Sequence, residues 1–103
     1  MSKNMTTPYT ITDEKLALYA KALAHPARIY ILRFLELQCS CFAGDICNNL
    51  PIANSTVSQH LTVLKTAGLI QGTINPPTIR YCINRKNWQE AKQLFHDFFQ
   101  ECC

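Results

Sequence analysis

Residues 44–70, "GDICNNLPIANSTVSQHLTVLKTAGLI", decide how this chain is read. The second half carries Val57, Leu61 and Leu64 at i, i+4 and i+7, the spacing that places apolar side chains on one face of an α-helix. Asn54 or Ser55 can cap the start of that helix, and Gly68 can close it at the C′ position. Just upstream, "ICNNL" sets Ile46 and Leu50 four apart, a short helical segment that Pro51 ends. A short helix, a tight turn and a capped helix make a helix-turn-helix.

The face opposite Val57, Leu61 and Leu64 carries Ser55, Gln59, Thr62 and Thr66. It is uncharged but rich in hydrogen-bonding groups. Glutamine can pair with the edge of adenine, and serine or threonine can serve bases or phosphates. Asn54, Thr56, Ser58 and His60 flank this stripe, and Lys65 is a natural phosphate contact. A polar stripe alone would suit any solvated helix face. The preceding helix, the cap, the glycine stop and a following hairpin together turn the reading toward double-stranded DNA.

That hairpin comes from "LIQGTIN" and "TIRYCIN", which lie either side of Pro76 and Pro77. In the second run Ile79, Tyr81 and Ile83 alternate with Arg80, Cys82 and Asn84, the period of two expected of a strand. Placed directly after a helix-turn-helix, the hairpin is a wing, and Arg80 is the charge it offers to DNA. Upstream, Leu16, Tyr19, Ala20 and Leu23 predict a first helix over 13–23, with Asp13 and Glu14 at its positive end. Pro26 suits the first turn of a second helix running to about Leu37, with Ile29, Leu32, Phe34 and Leu35 facing inward. His25, just before it, reads as a cap or surface residue. A last helix over about 85–100 carries Trp88, Ala91, Phe95 and Phe98 on one stripe. Residues 1–12 read as a flexible N-terminal arm and 13–103 as one domain. The predicted fold is mainly α with a β-hairpin wing.

Composition agrees. The chain has 103 residues, 48% apolar and 17% charged, which suits one globular domain with a modest core. The formal charge of +3 permits a polyanionic partner. The polar start "MSKNMTTPYTITDEK" has no apolar leader, and no stretch nears the roughly 18 apolar residues of a membrane span. A cytoplasmic protein without membrane contact is expected. No C-x-x-C follows a strand, and there is no glycine-rich phosphate loop or Cys–His–acid set, so an enzyme is not expected.

"ALAHPARIYILRFL", the helix-turn-helix stretch and "RYCIN" resemble the ArsR/SmtB group of metal- and metalloid-responsive winged-helix repressors, over about residues 13–100. The resemblance implies a homodimer, joined through the first and last helices, that sits on an operator with an imperfect palindrome and leaves it when an effector binds. Two features depart from the family pattern. Ala53 stands where a serine-like cap is usual, and the wing tip "INPPTIR" is less basic than usual.

The chain has six cysteines, three of them in "CSCFAGDIC", residues 39–47. In a reducing compartment such thiols suit metal binding, redox sensing or burial better than structural disulfides. Thiolates select soft centres. Cys39 and Cys41 can aim two sulfurs the same way from an extended segment. Cys47 can supply a third, with Cys102 or Cys103 as the competing source. Arsenic-responsive members carry a C-x-C-x-x-C run at the start of the helix before the recognition helix. Here Cys47 aligns with it, while Cys39 and Cys41 are displaced toward the N-terminus. The resemblance thus implies trivalent arsenic or antimony as effector, with zinc, cadmium or lead as alternatives. The second reading is a redox- or persulfide-sensing repressor of the same fold. Cys82 is expected to have a packing role. The zinc site that some members build on the last helix is not expected, because only His96, Asp97 and Glu101 are available there.

Overall fold

A computed structural model describes residues 8–37, 42–43, 54–75 and 78–100. Four helices and three short strands follow in the order α1 (Ile11–Ala22), α2 (Pro26–Glu36), β1 (Phe42–Ala43), α3 (Asn54–Thr66), β2 (Ile70–Asn75), β3 (Thr78–Ile83) and α4 (Arg85–Gln100). The short helix expected at 46–50 lies outside the described residues, as do the first seven residues of the arm.

Helix α1 begins two residues earlier than its apolar spacing suggested, because the backbone N–H groups at its start are satisfied by a reciprocal cap. Asp13 N–H donates to Thr10 Oγ1 at 3.0 Å, and Thr10 N–H donates to Asp13 Oδ2 at 3.1 Å. The domain therefore reaches into the segment assigned to the arm. His25 caps α2, its Nδ1 accepting from the Ala27 N–H at 2.9 Å, and Pro26 follows in the first turn. Ile31, Leu32 and Leu35 form the buried face of α2. Ile29, expected there, sits at the helix shoulder with 36% of its surface exposed.

The core gathers Tyr19 and Ala22 of α1, the inward face of α2, Val57, Leu61 and Leu64 of α3, Leu69, Ile70 and Ile83 of the hairpin, and Ala91 of α4. Leu64, Val57 and Ile31 are fully enclosed. Each such side chain contributes about 1.5–3 kcal/mol by leaving water.

Gly68 carries φ +88°, the left-handed conformation that ends α3. A Cβ there would also meet Asn87 Nδ2 at 2.8 Å. That amide donates to the Gly68 carbonyl at 2.8 Å. Asn84 completes the joint. Its N–H donates to the Leu69 carbonyl at 2.9 Å, and its side-chain oxygen accepts from the Asn87 N–H at 3.2 Å at the start of α4. The end of α3 is thus bolted to α4.

Strands β2 and β3 pair antiparallel from Ile70–Ile83 to Asn75–Thr78, as the alternation predicted. The sheet has a third member that the sequence did not announce. β1 pairs antiparallel with the other edge of β3, Phe42 opposite Tyr81 and Ala43 opposite Arg80, giving the order β1-β3-β2.

Candidate nucleic-acid interface

Helix α3 presents the two faces its spacing predicted. Val57 and Leu64 are fully buried and Leu61 nearly so, which fixes the rotation of the helix about its axis. Ser55, Ser58, Gln59, Thr62, Lys65 and Thr66 are then exposed, and Thr56 is half-buried. The Thr62 hydroxyl donates back to the Ser58 carbonyl at 3.0 Å and keeps its acceptor lone pairs for an outside partner. α3 starts at Asn54, so Ser55 stands inside its first turn rather than ahead of it. The side chain of Asn54 lies outside the described residues. Arg80 is exposed on β3. The Lys65 ammonium lies beside β2, 3.7 Å from where a Cβ on Gly72 would stand. It therefore sits where α3 meets the hairpin.

His60 is a correction. Expected among the DNA-facing residues, it turns inward and is only 8% exposed. Arg28 Nη1 lies 3.2 Å from its Nδ1, and the His25 ring stacks obliquely on it at a centroid distance of 4.4 Å. His60 Nε2 is buried without a hydrogen-bond partner among the described residues. Burial first, then the neighbouring His25 and Arg28, hold the His60 pKa below its ordinary value. Its place on the wheel, between the polar stripe and the core, allowed either direction.

Arg28 does more than approach His60. Its Nε donates to the Ala22 carbonyl at 2.9 Å and its Nη2 to the Lys21 carbonyl at 3.4 Å. These are carbonyls at the C-terminal end of α1, where a cation is favoured. One guanidinium therefore joins the end of α1, the start of α2 and the middle of α3. Apolar periodicity gave no hint of this joint.

On another side of the domain, α1 and α4 are tied through Glu90. Its Oε1 accepts from the Tyr19 hydroxyl at 2.7 Å, and Lys15 pairs with its Oε2. Burial and then Glu90 push the Tyr19 pKa up to about 12. The hydrogen bond from Lys15, then that from Tyr19, holds Glu90 low. Beyond this tie the two helices leave apolar surface bare. Ile11, Leu18, Phe98 and Phe99 are exposed, and Phe95, Phe98 and Phe99 line a groove with Leu16, Ala17 and Ala20.

Cys39, Cys41, Cys47, Cys102 and Cys103 lie outside the described residues. Among the described residues no group of three or more His, Cys, Asp or Glu side chains is placed to hold a metal ion. Cys82, expected to have a packing role, lies on β3 and is disulfide-bonded. No helix among the described residues is long and apolar enough to cross a membrane.

Residues 25–71 match the family model described as "Bacterial regulatory protein, arsR family". The chain is 32% identical over 73 residues to the HTH-type transcriptional regulator YgaV of Escherichia coli, covering 71% of this chain and 74% of YgaV. It is 35% identical over 71 residues to the HTH-type transcriptional regulator CmtR of Mycobacterium tuberculosis. That match covers 69% of this chain and 59% of CmtR, so the chain spans less than two thirds of that relative's length. The solved structure of CmtR, described as a cadmium metal-sensor, superposes with a TM-score of 0.57 at 34% identity, covering 74% of this chain and 77% of that one. An ArsR-like transcriptional regulator from Rhodococcus sp. RHA1 superposes with a TM-score of 0.72, covering 89% of this chain and 84% of that one. At 22% identity this last likeness is one of fold, and the fold is a winged helix.

Proposed function

Because this chain belongs to the arsR family of bacterial regulatory proteins, we propose that it is a DNA-binding repressor that releases its operator when a soft ion is captured by cysteine thiolates. The single observation that carries the DNA-binding half is the outward face of α3. A helix whose rotation is fixed by Val57, Leu61 and Leu64 exposes Ser55, Ser58, Gln59, Thr62 and Lys65. Asn54 and Thr56 belong to the same first turn and contact the backbone or base edges beside it. The major groove admits such a helix, and side chains of this chemistry read base edges there while Lys65 and Arg80 hold phosphates. The relatives that carry the name of transcriptional regulator support the same reading.

The protein works as a homodimer through the apolar surfaces of α1 and α4. Phe98 and Phe99 are 55% and 75% exposed, an apolar load that a second copy would cover. Two-fold symmetry then sets two α3 helices about one DNA turn apart on an imperfect palindrome.

The effector is held by Cys39, Cys41 and Cys47, with Cys102 or Cys103 as an additional sulfur. Bound there, trivalent arsenic or antimony, or in the alternative cadmium, lead or zinc, cross-links thiolates from the segment that leads into the helix-turn-helix. Mycobacterial CmtR is described as a cadmium sensor, which supports a soft ion without favouring arsenic. The protein acts in the cytoplasm. The test is fluorescence anisotropy on duplexes selected from a random pool, titrated with arsenite and separately with cadmium. Tight, salt-sensitive binding reversed by at least one of the two supports the reading. Selection that yields no preferred duplex refutes it.

A further inference from the structure

We propose that His60 is a positioning residue for α3 and a proton switch on DNA binding: the neutral ring, held by Arg28, keeps the polar face of α3 aimed outward, and a proton taken up at Nδ1 undoes that hold and weakens the grip on DNA. The proposal deepens the DNA-binding reading above and rests on it.

The joint accepts only one form of the ring. Arg28 Nη1 lies 3.2 Å from His60 Nδ1. A guanidinium has only donors to give, so Nδ1 must offer its lone pair, and the single proton of the neutral ring sits on Nε2. A second proton goes to Nδ1. It uses up that lone pair and sets two cationic donors face to face. The ring has little room to step aside, because it is only 8% exposed and its helix is held by Val57, Leu61 and Leu64. Either Arg28 withdraws or α3 rolls to carry the imidazolium to water. Arg28 also holds the Ala22 and Lys21 carbonyls, so its withdrawal frees the end of α1 as well. A roll of α3 takes the exposed Gln59 and Thr62 out of line with the groove.

Nothing among the described residues offsets the new charge. The titratable and charged groups that act on His60 are His25, whose ring lies obliquely against it at 4.4 Å, and Arg28 on α2. The end of α1 contributes two carbonyls that Arg28 already occupies. On α3 itself Lys65 is another cation, and its ammonium lies beside β2. No carboxylate is among these groups. Burial and the neighbouring cation keep the ring neutral to lower pH than usual.

DNA-bound α3 needs the neutral ring, so the bound state holds fewer protons than the free one. Affinity is therefore full above the ordinary histidine pKa of 6.5 and falls as pH drops through the lower folded value. Ordinary electrostatics run the other way, because acid adds positive charge and tightens contact with phosphates.

The test titrates the reduced full chain onto its preferred duplex by fluorescence anisotropy at pH 7.5, 6.5 and 5.5 and one ionic strength. Circular dichroism at each pH separates release from global unfolding. The wild type should lose at least about threefold in affinity between pH 7.5 and 5.5. His60→Asn, whose amide oxygen stands where Nδ1 does and takes no proton, should show no loss over the same span. His25→Asn, which keeps an acceptor at the α2 cap, should retain the wild-type fall. Wild-type affinity that holds or rises on acidification overturns the proposal, as does a fall that survives in His60→Asn or disappears in His25→Asn. Nitrogen-15 NMR without DNA reads the joint apart from the repressor reading. At pH 7.5 His60 Nε2 should carry the proton and Nδ1 none, and the Arg28 Nε signal should move with the His60 titration. The opposite tautomer, or an Arg28 signal blind to that titration, overturns the switch. If both NMR signatures appear and no duplex binds at pH 7.5, the joint stands, and the DNA-binding reading falls together with the switch built on it.

Discussion

Replacing Arg28 with alanine should loosen the whole reading unit although Arg28 itself faces no DNA. The side chain makes two well-formed contacts, to the Ala22 carbonyl at 2.9 Å and to His60 Nδ1 at 3.2 Å, and a longer one to the Lys21 carbonyl at 3.4 Å. A hydrogen bond from a charged donor contributes about 1.5–3 kcal/mol when sheltered. Arg28 is half-buried, so each good contact falls at or below the low end of that range, and the 3.4 Å contact adds little. His60 Nε2 already lacks a partner among the described residues, and the substitution would strip Nδ1 as well. We expect Arg28→Ala to cost about 2–3 kcal/mol. Urea unfolding at fixed protein concentration reads this directly. With a slope of about 1–1.5 kcal/mol/M, the midpoint should fall by about 2 M at unchanged slope. Arg28→Lys should recover less than half, because one ammonium cannot replace a fork that reaches three acceptors. A loss below about 0.5 kcal/mol for Arg28→Ala, the level of an ordinary surface substitution, would refute the joint.

Further outcomes follow from the same geometry. His60 is held below its ordinary pKa, so the unfolded chain takes up a proton before the folded one does. The neutral ring therefore contributes stability above about pH 6.5, and that contribution drains as pH falls toward the folded pKa. The slope is at most about 1.4 kcal/mol per pH unit. Urea midpoints from pH 7.5 to 5.5 should fall more steeply in the wild type than in His60→Gln. Gly68→Ala must place a side chain at φ +88° against Asn87, so it should cost about 1–2 kcal/mol, read as a lowered melting temperature. On a preferred duplex, Gln59→Ala should lose about 1–3 kcal/mol of binding with relaxed base preference. Lys65→Ala should weaken all sequences alike and reduce the salt slope by about one.

Much of this molecule was legible where one periodicity governs. Val57, Leu61 and Leu64 fixed α3 and its outward stripe. The alternation through Ile83 fixed the hairpin, and Gly68 marked the stop. What escaped depends on partners distant in sequence. Nothing local says that residues 42–43 add a strand to β3, since two residues carry no period. Cys82 looked like filler, since nothing local in its strand marks it for a disulfide. His60 stands at the border of two faces, and only Arg28, 32 positions away, shows which one it joins. The start of α1 was readable but passed over. Thr10 and Asp13 spell a capping box that apolar spacing does not register.

The central claim is that soft-ion capture at Cys39 and Cys41 releases α3 from DNA. The most direct measurement is the operator affinity of the reduced wild type and of the Cys39→Ser/Cys41→Ser variant, each with and without saturating arsenite or cadmium. The account predicts equal affinities without the ion, and with it a loss of about 5–150-fold in the wild type alone, the span of a 1–3 kcal/mol coupling. Equal release of both proteins by every soft ion would contradict it.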